Sequence, residues 1–347
     1  MSRGRLETIS GSSVIMMIKK VLVTGANGML GTHICKELLK QQYEVHAFIL
    51  PGQDSSLLQD KSIKIVEGDV LNSEQLDSFV AEVDAVIHVA ALTDVWPRRS
   101  ERVCRVNYQG ALNVAAAVRK NNLQRLVYIS SASAFGHGTL QEPGNEHAAY
   151  ALSGFGIDYI QSKYDAQVKL LQLHQSEALP VIVVNPTFMI GAYDANLTSG
   201  RMVLQLVKGK VPGYSKGGKN FVAAADVAVA AVNALQMGRL GECYIAGNEN
   251  LTYKGFFAKV KSSIGLEGKL FPMPSWIVLL FGALSSIMAR LSKSKPQLSY
   301  SMARFSLLQQ YYSSTKAQDE LAMPQTPIET AVQSCVAWYR ANGILEN

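Results

Sequence analysis

The chain has 347 residues, 48% hydrophobic and 17% charged, with 33 basic and 27 acidic residues for a formal net charge of +6. A charged share below the usual ~25% excludes a disordered chain and a coiled coil. Four Cys without metal-ligand spacing exclude a disulfide scaffold and a metal module, and the basic residues are too scattered for a nucleic-acid stripe. Residues 1–17 are polar and irregular and read as a flexible tail. The apolar run Val14–Ile18 is too short for the core of a signal peptide, and Met16 or Met17 could be the natural start. From Lys20 onward short β-branched runs alternate with amphipathic ones. The runs predict strands at Lys20–Thr24, Glu44–Leu50, Ile63–Glu67, Ala85–Ala90, Arg125–Ser130, Val181–Asn185 and Glu242–Ala246. Helices are expected at Met29–Gln41, Glu74–Val83, Arg102–Asn121 and Tyr159–Gln175. The strands are nearly continuous apolar runs, as parallel strands covered on both faces require. Such alternation implies an α/β fold with a doubly wound parallel sheet. After about residue 192 Gly/Lys-rich loops appear, then helices without strands. This part reads as a smaller, mainly helical domain over the carboxyl edge of the sheet, where ligands bind in such folds. Within it, Leu270–Ala289 carries no charge. Pro272, Pro274 and Gly282 interrupt it, so it reads as a helix over the protein's own pocket, with contact to a lipid surface as the alternative.

The first strand runs into Thr24-Gly25-Ala26-Asn27-Gly28-Met29-Leu30-Gly31. Gly25 permits a tight turn, Gly28 a close ligand approach, and Gly31 close packing of helix on strand. Free amides around Met29 and Leu30 at a helix N-terminus suit a pyrophosphate. The bland alternative is a glycine-rich turn without a ligand.

This TGxxGxxG pattern resembles the extended short-chain dehydrogenase/reductase superfamily, of the epimerase/dehydratase type. Further segments carry the resemblance in order: Gly68-Asp69-Val70, His88-Val89-Ala90-Ala91, Asn107 in Val106-Asn107-Tyr108-Gln109-Gly110, and Asn185-Pro186-Thr187. It covers residues 18–260 and, more loosely, the rest. It implies a Rossmann-type domain at 18–192 plus 221–247 and a substrate domain at 193–220 plus 248–347. It also implies that Asp69 and Val70 hold the adenine, that Ala90, Ala91 and Asn107 flank the cofactor, and that Pro186 and Thr187 lie beside the nicotinamide.

Tyr159 and Lys163 share a helix face. With 14 Tyr in the chain such a pair also arises by chance, and a second, Tyr312/Lys316, lies near the C-terminus. The helix after the fifth strand, with Ser131 ending that strand, selects Tyr159. Hydride transfer to a carbonyl needs a proton on the oxygen, which Tyr159 would donate. Lowering a phenol by about three pKa units requires roughly 4 kcal/mol, and an ammonium ~4 Å away supplies about that at an effective dielectric of 20. Lys163 is assigned that task, with a hold on the nicotinamide ribose implied by the resemblance. Ser131, rather than Ser130, lies five residues before Gly136, as the family's catalytic Ser does, and would orient the substrate oxygen.

An acid at the end of the second strand would favour NAD and an Arg there NADP. Those positions fall at Ile49 and Leu50. Gln53 and Asp54 in the next loop are weak ribose candidates. The dihydroflavonol 4-reductase-like and 3β-hydroxysteroid dehydrogenase-like members, with a bacterial set labelled hopanoid-associated sugar epimerases, are the most similar. They tip the choice slightly toward NADP(H) over NAD(H).

Thr93, Asp94, Trp96, Phe135, His137, Phe188 and Met189 are candidates for the pocket wall, and each is equally compatible with core or loop packing. A mostly apolar lining suits a ring or chain ketone. Arg201, Lys208, Lys210, Lys216 and Lys219, with no acid among them, could hold a diphosphate or form a solvated loop. Asp226 reads as structural. The resulting expectation is an NAD(P)-dependent ketone reductase or alcohol dehydrogenase. The alternatives are a nucleotide-sugar epimerase/dehydratase that retains its cofactor and a non-catalytic NAD(P)-binding sensor or scaffold. The resemblance also implies a homodimer through helices 102–121 and 159–175. Reduced Cys point to a cytoplasmic protein, and no metal is expected.

Overall fold

The computed structural model describes residues 18–346, so the tail expected at 1–17 lies outside the described residues. The strands are β1 (Lys20–Thr24), β2 (Glu44–Ile49), β3 (Ile63–Glu67), β4 (Ala85–His88), β5 (Arg125–Ile129), β6 (Val181–Pro186), β7 (Phe188–Ile190), β8 (Gly213–Tyr214), β9 (Gly218–Ala223), β10 (Cys243–Ala246), β11 (Glu249–Thr252), β12 (Phe271–Pro272) and β13 (Gln309–Gln310). The helices are α1 (Met29–Lys40), α2 (Ser73–Val80), α3 (Glu101–Cys104), α4 (Gly110–Lys120), α5 (Asp158–Glu177), α6 (Arg201–Val207), α7 (Ala224–Met237), α8 (Tyr253–Ser263), α9 (Ser275–Leu291), α10 (Tyr300–Phe305), α11 (Thr315–Leu321) and α12 (Ile328–Ala341).

Seven parallel strands form one sheet in the order β10-β6-β5-β4-β1-β2-β3. All four residues of β4 and all six of β6 are buried, the reason these strands read as unbroken apolar runs. One core packs α1 and α7 on one face of the sheet, and a second packs α2, α4 and α5 on the other. The strand order reverses between β1 and β4, so the loops after these strands diverge and leave a crevice at their carboxyl ends.

The smaller part is less helical than the sequence suggests. β7 and β9 pair in parallel, and β11, β9 and β13 extend that sheet, while β8 pairs with β12. Strands of two to four residues are too short to show a period of two. The boundary expected at 220/221 cuts through β9. Moreover, Ala317, Leu321 and Met323 lie in the core beneath the main sheet, so the C-terminal stretch serves both parts. A third core, built on Phe221, Phe256, Val332 and Tyr339, holds α6, α8 and α12 together.

The helix expected at 102–121 runs from Glu101 to Lys120 with one change of winding. Arg105–Gln109 forms a π-helical turn between α3 and α4. Asn107 sits in that turn, and its side chain is drawn inward to the loop after β4. π turns recur at functional sites because one extra residue re-aims the face.

Candidate active site

The phosphate loop closes the crevice from below. Gly25 has φ +66°, and a Cβ there would lie 2.8 Å from the Ala90 backbone. A Cβ at Gly31 would meet the Gly25 carbonyl at 2.2 Å, so α1 can approach β1 only with glycine there. Above Gly28 the space is open, with only the Gly25 carbonyl within 4 Å. The first turn of α1 carries no acid, and the amides of Met29, Leu30 and Gly31 precede the first intrahelical bond, Thr32 N–H to the Gly28 carbonyl at 2.8 Å. Bare amides at a helix N-terminus, beside a gap that a Cβ would fill, fit a pyrophosphate.

Asp69 turns its own loop, accepting from Leu71 N–H at 2.9 Å, while Val70 is buried and its carbonyl is held by Asn113. Ala90 N–H donates to Thr24 Oγ1 at 3.2 Å, which fixes the loop continuing to Ala91. Asn107 departs from its expected role beside the cofactor. Its Oδ1 accepts from Leu92 N–H at 2.8 Å, and its Nδ2 donates to the Leu92 carbonyl and to Ser162 Oγ. It clamps the crevice wall to α5. Thr187 is likewise engaged, its hydroxyl meeting Asn220 Oδ1 at 2.8 Å, and Pro186 ends β6 opposite Ala246.

Ser131, Tyr159 and Lys163 come together at the mouth. Ser131 follows β5, its Oγ accepting from Ser133 N–H at 3.2 Å, and Asn185 Nδ2 holds its carbonyl at 3.0 Å. Tyr159 and Lys163 lie one turn apart on α5. Burial pushes the Tyr159 phenol above its ordinary value, and hydrogen bonding with Ser131 draws it partly back. Lys163 donates to the Ile129 carbonyl at 2.7 Å, lies 5.1 Å from the Tyr128 ring centre, and is brought down to about 7 by burial. The Tyr159 phenol is therefore raised where a lowering by Lys163 was expected, because burial of the phenol is the largest influence on it. His88, stacked on Tyr128, falls to about 3 through burial and then the charge of Lys163.

The second Tyr-x-x-x-Lys pair has no such setting. Tyr312 precedes α11, with its backbone clasped by Asn250 and Asn220, and Lys316 donates to Glu242 at 2.6 Å. Asp226 accepts from both Thr326 N–H and Thr326 Oγ1 at 2.7 Å, the structural role expected of it.

Of the expected wall residues, Phe188 is half-buried near the mouth, but Phe135 belongs to the core under the sheet. Thr93 is exposed. Asp94 pairs at 2.8 Å with Lys295, just beyond α9, and the guanidinium of Arg290 in α9 lies 5.8 Å from the Trp96 ring centre. A wall not foreseen comprises Leu152, Ile157, Ile160 and Phe305, against which Tyr159, Val95 and Met302 pack. Among the five basic residues between 201 and 220, four are not buried and only Lys219 points inward. Its Nζ lies 5.3 Å and 4.6 Å from the Phe188 and Phe305 ring centres and donates to Gln310 Oε1 at 3.0 Å. Burial brings it to about 7. The visible signal was a lysine that follows Gly217-Gly218 and stands two residues before the apolar run Phe221–Ala225. Asp54 accepts from Ser56 N–H and Oγ at 2.8 and 2.9 Å, which fixes its carboxylate on its own loop, and Leu50 is exposed at the end of β2.

A glycine-lined phosphate crevice at the reversal of strand order, with Tyr, Lys and Ser at its mouth, defines an NAD(P)-dependent oxidoreductase acting on CH–OH groups. The chain belongs to the NAD dependent epimerase/dehydratase family, whose profile matches residues 21–247. It is 30% identical over 96% of its length to a Synechocystis protein named "Putative dihydroflavonol 4-reductase", covering 98% of that protein. It is 25% identical to the sterol-4-alpha-carboxylate 3-dehydrogenase, decarboxylating, of Mus musculus, over 96% of this chain and 94% of that one. The crystal structure of gox2253 superposes with a TM-score of 0.82 at 28% identity, covering 94% of this chain and all of that one.

A bound nicotinamide dinucleotide would supply the hydride. Beside it, the Tyr159 phenol and the Ser131 hydroxyl are the groups that would serve the substrate oxygen, with Lys163 one turn along α5. The apolar wall excludes water and sharpens each of these interactions.

Proposed function

We propose that this protein reduces an apolar ring or chain ketone, or oxidises the corresponding secondary alcohol, with NADP(H) favoured over NAD(H). The observation that carries this reading is the apolar cluster of Leu152, Ile157, Ile160 and Phe305 packed directly against Tyr159. A nucleotide sugar would need polar partners at that wall. The relatives named for dihydroflavonol and sterol chemistry act, by those names, on ring systems of this kind. The absence of an acid at Ile49 or Leu50 supports tolerance of a 2′-phosphate. The test is turnover of ring and long-chain ketones with NADPH and NADH, in wild type and in Tyr159→Phe. Wild-type turnover that survives the substitution overturns the mechanism.

The second reading, epimerisation or dehydration of a nucleotide sugar with retained cofactor, has Lys219 in its favour, a buried ammonium beside the mouth. Cofactor that co-purifies and is never consumed would select it. The protein is further proposed to be a cytoplasmic homodimer through α4 and α5. Sedimentation giving a concentration-independent monomer mass would count against the dimer.

A further inference from the structure

Among the described residues no helix is long and apolar enough to cross a membrane. α9 is nevertheless unusual. Trp276, Leu280, Phe281, Leu284, Ile287, Met288 and Leu291 are all exposed, by 45% to 81%. Their spacing places them on one face of the helix. The opposite face is small: Gly282, Ser286 and Ala289 are buried. A Cβ at Gly282 would come within 2.6 Å of Ala303 Cβ, and Ser286 Oγ accepts from Tyr300 N–H at 2.9 Å. α9 therefore lies flat against α10 and turns its large apolar residues outward. A contiguous patch of this kind marks an interaction surface.

The rim says what covers it. Between Glu267 and Asp319 the chain has six basic residues and no acid, and between Asp194 and Asp226 it has five and no acid. Exposed Lys210 and Lys216 flank β8, which pairs with the strand leading into α9, and exposed Lys269 precedes that strand. Exposed Arg290 and Lys293 mark the other end. An apolar stripe about 25 Å long, framed by cations, has the form of an interfacial helix. A second copy docked on this face would bring like-charged rims together, whereas anionic headgroups would meet them favourably.

We propose that α9 docks this protein on the surface of an anionic lipid bilayer, lying in the headgroup plane with its apolar stripe immersed. The same helix meets the loop after β4 through Arg290 at the Trp96 ring, the segment just beyond it pairs Lys295 with Asp94, and its partner α10 supplies Met302 and Phe305 beside Tyr159. Docking thus places the wall of the cleft at the lipid boundary, where an apolar substrate concentrates. The docking itself does not depend on which ketone the site takes.

The test is co-sedimentation of the full chain with vesicles of pure phosphatidylglycerol and of pure phosphatidylcholine, in low and high salt. Expected are binding to phosphatidylglycerol at least about tenfold tighter than to phosphatidylcholine, weakening with salt, and loss in Leu284→Asp/Ile287→Asp. Trp276 emission should shift to the blue on binding, read as the difference between wild type and Trp276→Phe. Should the double variant lose its fold by circular dichroism, Met288→Ser/Leu291→Ser replaces it. No binding to phosphatidylglycerol, equal binding to both lipids, or binding untouched by these variants overturns the proposal. So does a dimer in solution that these variants dissociate, which would make the face an interface between copies.

Discussion

The two Tyr-x-x-x-Lys pairs share a spacing and almost nothing else. At Tyr159/Lys163 both side chains stand on one long helix beneath a strand end, with Ser131 bonded to the phenol and Lys163 left without a carboxylate. At Tyr312/Lys316 the tyrosine precedes its helix, and the lysine is neutralised by Glu242 and lies 4.7 Å from the Tyr244 ring centre. The difference teaches that the motif does no chemistry by itself. The pair expected to act is the one whose lysine meets a backbone carbonyl rather than a carboxylate.

The largest expected effect tests that contrast directly. Tyr159→Phe should lower kcat by roughly 10²–10⁴-fold, the usual worth of a positioned proton donor. Tyr312→Phe should leave it within about twofold. Steady-state kinetics of the two variants side by side measure this, and comparable losses would erase the distinction. Ser131→Ala comes next, with about 10²-fold in kcat, because one oriented donor to a developing oxyanion is removed. A change confined to KM would make Ser131 a binding group only. The pH profile belongs to the same comparison. Since burial raises the Tyr159 phenol, its acid form is present throughout neutral pH. Carbonyl reduction should be flat there on this account, and alcohol oxidation should rise with pH.

Much of this was legible beforehand. The main sheet was readable because its inner strands β1, β4, β5 and β6 are buried on both faces and carry nearly unbroken apolar runs, whereas edge strand β3 buries only Val66. The phosphate loop was readable because Gly25 is demanded by its own positive φ and Gly31 by the Gly25 carbonyl. What escaped depends on contacts distant in sequence. β8, β12 and β13 have two residues each and exist only through their partners. The π turn at 105–109 is set by Asn107 reaching Leu92 and Ser162. Asp54 looked free for a ribose until its bonds to Ser56 were seen, and Lys219 looked like one of five loop cations until β9 carried it inward.

A smaller effect separates buried lysines from paired ones. Lys163 and Lys219 are brought from 10.5 to about 7 by burial. Between those values the unfolded chain holds protons that the folded protein does not, so these two groups make stability rise with pH from about 7 to about 10.5. Below about 7 both states are protonated and the penalty of burying the charge is complete. Lys219→Met should therefore be more stable than wild type near pH 6.5, and that advantage should shrink by about pH 10. Thermal unfolding across this range, compared with Lys316→Met, reads the difference. A parallel shift at every pH would mean that Lys219 is not held near neutrality.

The smallest expected effect lies in the inactive pair. The Tyr312 hydroxyl is buried without a hydrogen-bond partner among the described residues. An unpartnered buried hydroxyl is a liability, and its removal leaves the ring's packing intact. Tyr312→Phe should thus be neutral or stabilising by up to about 1 kcal/mol, a rise in Tm of about 1–2 °C for a chain of this size. Differential scanning calorimetry would detect it. A clear loss of stability would show that the hydroxyl has a partner after all. A loss of activity with stability kept would give Tyr312 a place in the chemistry, and the contrast between the two pairs would no longer hold.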